Sequence, residues 1–97
     1  MHELPRLSSL ETLILELLSE HGPMYGLEMV DASRGRLKRG SIYVTLARMV
    51  DKGYVKSKEV EGEGQGPPRT VYRSTGYGMR LLSAWQLAGK ALLESRA

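Results

Sequence analysis

The chain has 97 residues, 41% of them hydrophobic, with no cysteine and a net charge of +3. That length suits one domain with a modest core, a size at which a second chain commonly completes the burial. Without cysteine there is no disulfide framework and no thiolate chemistry, and no run approaches the roughly 20 apolar residues of a membrane span. The start, MHELPRLSSLE, carries acids and lacks the basic beginning and apolar run of a signal peptide. A cytoplasmic location and no membrane partner are expected.

Charge is spread unevenly. Residues 1–33 carry −5, residues 34–58 carry +7 and residues 59–97 carry +1. A positive field concentrated in one stretch is the footprint of a polyanion binder, although it is also what a solvated surface can look like.

Ser8 or Ser9 can cap a first helix over about 9–21. Leu10, Leu13, Ile14, Leu17 and Leu18 fall on one face of it, and Glu11, Glu16 and Glu20 lie mostly off that face. His21-Gly22-Pro23 stops it. A second helix is predicted over about 24–33, with Leu27, Val30 and Met24 inward. The stretch RGRLKRG, residues 34–40, follows with Arg34, Arg36, Lys38 and Arg39. A third helix over about 41–52 buries Ile42, Leu46, Met49 and Val50 together. Ser41, Val44, Thr45, Arg48 and Lys52 then face outward.

Residues 54–74 read as a wing: two short strands around GEGQGPP, which is turn chemistry. Thr75 offers an N-cap to a last helix from about Gly76 to Ser95. The fold class is mainly α with a small β-hairpin: a winged helix-turn-helix followed by a long C-terminal helix. Residues 1–74 are expected to form a DNA-binding part and residues 75–97 a dimerisation helix within the same compact unit. In a winged helix-turn-helix the third helix enters the major groove.

The motifs GSIYVTLARMVDKGYV (40–55), PRTVYRSTGYG (68–78) and LELLSEHGPMYG (15–26) together resemble the PadR family of bacterial transcriptional regulators, over about residues 9–82. The resemblance implies a DNA-binding homodimer, usually a repressor, with helices after the wing building the dimer. With one such helix available, this looks like the short subfamily. The family's Gly-Ser/Thr-x-Tyr segment carries over onto Gly40, Ser41, Ile42 and Tyr43, its wing arginine onto Arg69 and its wing tyrosine onto Tyr72. Val44 stands where the family usually has proline. Its β-branched side chain could meet a thymine methyl.

The expected DNA contacts are Lys38, Arg39, Ser41, Tyr43, Val44, Thr45, Arg48 and Arg69. Lys38 and Arg39 sit ahead of a helix N-terminus, where the dipole adds attraction for phosphate. The Tyr43 hydroxyl can bond a phosphate oxygen, or its ring can simply cover the core edge. Arg48 can read guanine, contact phosphate, or pair with Asp51. Glu59, Glu61 and Glu63 lie toward the wing tip, so the wing base is the expected contact.

Leu81, Trp85, Ala88 and Leu92 make a coiled-coil-like seam on the last helix. With Leu10 from the first helix they are the expected dimer interface. In some members of the family resembled, a tryptophan in this helix lines a cavity for flat aromatic compounds. Trp85 is therefore a candidate ligand residue for a small planar aromatic effector, or else plain interface filling.

No catalytic residue, metal ligand or cofactor is expected. His2 and His21 are the only histidines and sit at element ends. GEGQG leads into Pro-Pro and a strand, whereas a phosphate loop leads into a helix. Two functions fit: a sequence-specific DNA-binding regulator, or a winged-helix interaction module whose basic face meets an acidic protein partner.

Overall fold

Ser8 caps helix α1 (Ser9–His21) reciprocally. Its Oγ accepts the Glu11 N–H at 3.1 Å, and Glu11 Oε1 accepts the Ser8 N–H at 2.8 Å. In this computed structural model residues 4–62, 64 and 66–95 are described. His2 and Glu63 lie outside the described residues.

The first helix falls where its periodicity places it, and Ile14, Leu15, Leu17 and Leu18 are buried. The second helix does not. Met24–Tyr25 is a short strand, β1, and helix α2 covers only Gly26–Ala32. Met24 is buried as expected, but Leu27 is exposed and Met29 fills the core in its place. The reason is non-local: Met24 pairs with Tyr72 and Tyr25 with Val71, on a strand nearly 50 positions later, which a local apolar period cannot register.

Ser33 closes α2 and launches the basic loop. Its hydroxyl donates to the Val30 carbonyl at 2.7 Å and accepts the Leu37 N–H at 2.9 Å. Leu37 is buried in the core, so the cations of residues 34–39 straddle an apolar anchor. Helix α3 (Ile42–Asp51) buries Ile42, Leu46 and Met49. Gly53, at φ +80°, ends it: Gly53 N–H donates to Val50 O and Tyr54 N–H to Met49 O, a Schellman cap.

Strands β2 (Val55–Val60) and β3 (Arg69–Ser74) form the wing hairpin. With β1 they make a three-stranded antiparallel sheet, in the order β1-β3-β2. The hairpin expected from sequence is thus one strand short of the observed sheet. Thr75 then caps helix α4 (Gly76–Ser95), its Oγ1 accepting the Gly78 N–H at 2.9 Å. That hydroxyl also donates to the Gly53 carbonyl at 2.6 Å, tying the start of α4 to the end of α3.

Only the root of α4 joins the core. Leu81 and Leu82 are buried there, whereas Leu87, Leu92 and Leu93 are exposed. The radius of gyration is 15.1 Å, with extents of 57 × 30 × 21 Å, against about 13 Å for a rounded domain of this length. Among the described residues no helix is long and apolar enough to cross a membrane.

Candidate nucleic-acid interface

The outward surface of α3 is the centre of the site. At 100° per residue, Val44, Ala47, Arg48 and Asp51 project opposite the buried Ile42, Leu46 and Met49. All four are exposed. Ala47 was not anticipated from sequence, although the same helical arithmetic would have found it. Its small side chain allows close approach and can meet a thymine methyl. Asp51 stands at the far end of the surface, where its charge repels phosphate. The first two turns are therefore the part suited to a polyanion.

The start of α3 is prepared for an anion. Ser41 makes no side-chain cap and no acid occupies the first turn. The Lys38 carbonyl accepts the Ile42 N–H at 2.9 Å and the Ser41 N–H at 3.2 Å, which holds Lys38 and Arg39 directly ahead of the helix. Both are exposed. Helix dipole and cations thus point the same way.

The two flanks of α3 differ. On one side Tyr43 lies over Gly26, close enough that a Cβ there would stand 2.8 Å from the Tyr43 ring. Tyr43 then lines a cleft of about 460 Å³ with Tyr25, Leu27, Pro68, Arg69 and Thr70. Arg69, the expected wing-base contact, therefore does come together with Tyr43. Tyr25 and Leu27 are additions: helical spacing gives no signal for Tyr25 and predicts Leu27 inward. On the other side Thr45, Arg48 and Lys52 line a groove of about 250 Å³ with Ser8, Leu10 and Glu11. Thr45 Oγ1 lies 3.3 Å from the Ser41 carbonyl, on the intermediate rim of the surface.

Lys52 is turned to α1 rather than outward: its Nζ donates to Glu11 Oε2 at 2.8 Å. Glu11, read from sequence as lying off the apolar face, is only 5% exposed. Burial pushes its carboxyl up, but the hydrogen bonds from Lys52 and from the Ser8 N–H outweigh it and hold the group below the usual carboxylate range. The same bond raises the Lys52 ammonium. Among the described residues Arg48 has no ion-pair partner, and the anticipated pair with Asp51 is not formed.

The wing segregates its charges by face. Strand pairing sets Lys56 opposite Arg73, Lys58 opposite Val71 and Val60 opposite Arg69. These share one surface, with Ser57, Glu59 and Thr70 on the other. Glu59 therefore does not neutralise the cationic face.

The expected dimer residues separate into two sets. Leu81 is 3% exposed and lies in the core of its own chain, so it anchors the helix root instead of presenting a surface. Leu10 is partly buried against the same core. Trp85, Ala88 and Leu92 are exposed. Trp85 Nε1 donates to the Pro5 carbonyl at 2.7 Å, and its ring borders a hollow of about 250 Å³ with Arg6 and Leu7. Among the described residues no cluster of potential ligands could hold a metal ion.

Comparison with known proteins agrees with this fold. The model of the transcriptional regulator PadR-like family matches residues 14–84. A PadR-like transcription factor from Bacteroides fragilis is 30% identical with a TM-score of 0.76, covering 89% of this chain and 84% of the other. A PadR family transcription regulator from Clostridium difficile is 27% identical with a TM-score of 0.70, covering 93% of this chain and all of that one (100%). Bacillus subtilis PadR in complex with operator DNA is 22% identical, with a TM-score of 0.75, covering 84% of this chain and 48% of that one. No curated protein sequence matches. The family is one of transcription regulators, not enzymes. With the family match spanning most of its length, the chain belongs to the PadR-like family of transcriptional regulators.

Proposed function

We propose that this chain is a homodimeric, sequence-specific DNA-binding repressor, acting in the cytoplasm on a pseudo-palindromic operator. Residues 1–74 are the DNA-binding part and 75–97 the dimerisation helix. The observation that carries the reading is the outward surface of α3: Val44, Ala47 and Arg48 projecting past an uncapped helix start, with Lys38 and Arg39 ahead of it. Lys38, Arg39, Tyr43 and Arg69 meet phosphates and set register, while Ser41, Val44, Thr45 and Arg48 face base edges. The relative solved with operator DNA supports the partner class.

The exposed stripe from Trp85 through Ala88 to Leu92, widened by Leu93, supports the dimer. An isolated helix keeps such a surface in water only at a cost. The hollow beside Trp85 is where a small planar aromatic effector would enter, and it shifts DNA affinity only if it binds two dimer arrangements unequally.

A second reading rests on the wing. Lys56, Lys58 and Arg73 line a groove of about 440 Å³ with Val60, Val71 and Pro23, a surface that also suits an acidic protein partner. Selection of DNA from a random pool at two salt concentrations separates the two. Enrichment of a palindrome, with half-sites about 10 base pairs apart or a multiple, is the expected result. Absence of binding at both concentrations would favour the protein partner.

A further inference from the structure

Tyr25 has a fixed backbone and a ring with a neighbour. Its N–H donates to Glu28 Oε1 at 2.8 Å, at the start of α2. Strand pairing sets it opposite Val71. On β3, side chains two apart share a sheet face, so Tyr25, Val71 and Arg69 lie on one surface. There the Arg69 guanidinium carbon stands 3.8 Å from the centre of the Tyr25 ring.

The contact has a consequence for recognition. A wing arginine beside a Pro-Pro turn is exposed and samples many rotamers, and a ligand must freeze them. Stacking on an aromatic face removes much of that freedom beforehand. It uses the flat face of the guanidinium and leaves the in-plane N–H fork open, the part that matches two phosphate oxygens. Among the described residues no carboxylate pairs with that fork. The stack stands at the cleft shared with Tyr43, the flank where α3 and the wing base come together.

We propose that Tyr25 is a positioning residue for DNA recognition: its ring holds Arg69 so that the guanidinium fork faces a phosphate before DNA arrives. The proposal rests on the DNA-binding reading above. It makes the ring, not the hydroxyl, the working part.

The test is a double-mutant cycle read by DNA affinity on the selected operator, with thermal midpoints measured alongside. Tyr25→Leu should weaken binding about threefold per wing, or about tenfold for a dimer using both, the range of an exposed cation–aromatic contact. Tyr25→Phe should restore wild-type affinity. In an Arg69→Ala background Tyr25→Leu should have no further effect, whereas with Lys38→Ala the two losses should multiply. Arg69→Lys keeps the charge but not the flat stack, and should fall nearer to Arg69→Ala than to wild type. It carries the test if Tyr25→Leu does not fold.

A full Tyr25→Leu loss in the Arg69→Ala background, a gain in affinity, a failure of Tyr25→Phe to rescue, or wild-type affinity for Arg69→Lys would each overturn the proposal while leaving DNA binding intact. Failure of the unmodified chain to bind any DNA would overturn the underlying reading, and this one with it.

Discussion

Glu11 ties two helices together through one carboxylate. It closes the cap of α1 by accepting from Ser8, and it anchors the end of α3 by accepting from Lys52. The two partners are not equivalent. The Lys52 side chain is 47% exposed and the Glu11 side chain 7%, so solvent screens the ammonium and keeps the pair itself to less than about 1 kcal/mol. Removing Lys52, however, strands a buried carboxylate. Lys52→Met should therefore lose about 1–2 kcal/mol, more than Glu11→Gln, which keeps the cap and leaves only an exposed cation. Urea midpoints of the two variants check the order. The pH sign follows from the lowered Glu11 carboxyl. Its contribution is complete above the ordinary carboxylate range and disappears as pH falls through the folded-state value. Wild-type stability should fall on acidification more steeply than that of Glu11→Gln, and parallel acid limbs in chemical denaturation would contradict this. Gly78 is a second single-residue dependence. A Cβ there would stand 2.2 Å from the Tyr54 carbonyl oxygen, which no rotamer relieves. Gly78→Ala should lower stability by about 1–3 kcal/mol, read as a shifted urea midpoint with an unchanged slope.

At the level of elements, the proposed interface divides its work between α3 and the basic loop ahead of it. In the proposed interface Val44 and Arg48 discriminate while Lys38 and Arg39 attract, so their substitutions should behave differently. Lys38→Ala should weaken operator and random DNA alike, whereas Arg48→Ala should also blunt sequence preference by about 1–3 kcal/mol at one base pair. Equal losses on both DNAs for Arg48→Ala would reject a base-reading role. The helices α1, α3 and α4 were legible in the sequence because each carries a local period and a local stop: leucines closed by Gly22-Pro23, Ile42-Leu46-Met49 closed by Gly53, and Thr75 opening the last helix. Strand β1 was not. Its two residues are fixed by partners on β3, and pairing across such a distance leaves no periodic trace. The same gap hid Tyr25 and turned Leu27 inward in the reading. Glu11 was misplaced for another reason: helical periodicity treats a carboxylate as a surface group and cannot foresee a lysine 41 positions away. Of the site itself, the cations ahead of α3 and the outward α3 residues could be read from spacing. The meeting of Arg69 with Tyr25 and Tyr43 could not, since it depends on how the sheet docks against α2.

At the scale of the molecule, one end of α4 is held by the core and the other is not. The tether is short: Leu81 and Leu82 are buried, and beyond them Leu92 and Leu93 are 64% and 71% exposed. A second chain covering this stripe would place two α3 surfaces at a fixed separation, which is what a two-fold operator requires. Leu92→Glu combined with Leu93→Glu should shift sedimentation from dimer to monomer and weaken operator binding steeply, while leaving the buried root of α4 folded. An unchanged oligomeric state would remove this helix from the interface. Whether the surface built by residues 34–48 and the wing base is a DNA interface is decided by the salt dependence of operator affinity, wild type against Lys38→Ala. Affinity should fall steeply with salt, and each lost phosphate contact should lower the log–log slope by about 0.9, so by about 1.8 for a dimer that loses two. An unchanged slope in the variant, or an affinity indifferent to salt in the wild type, would contradict it.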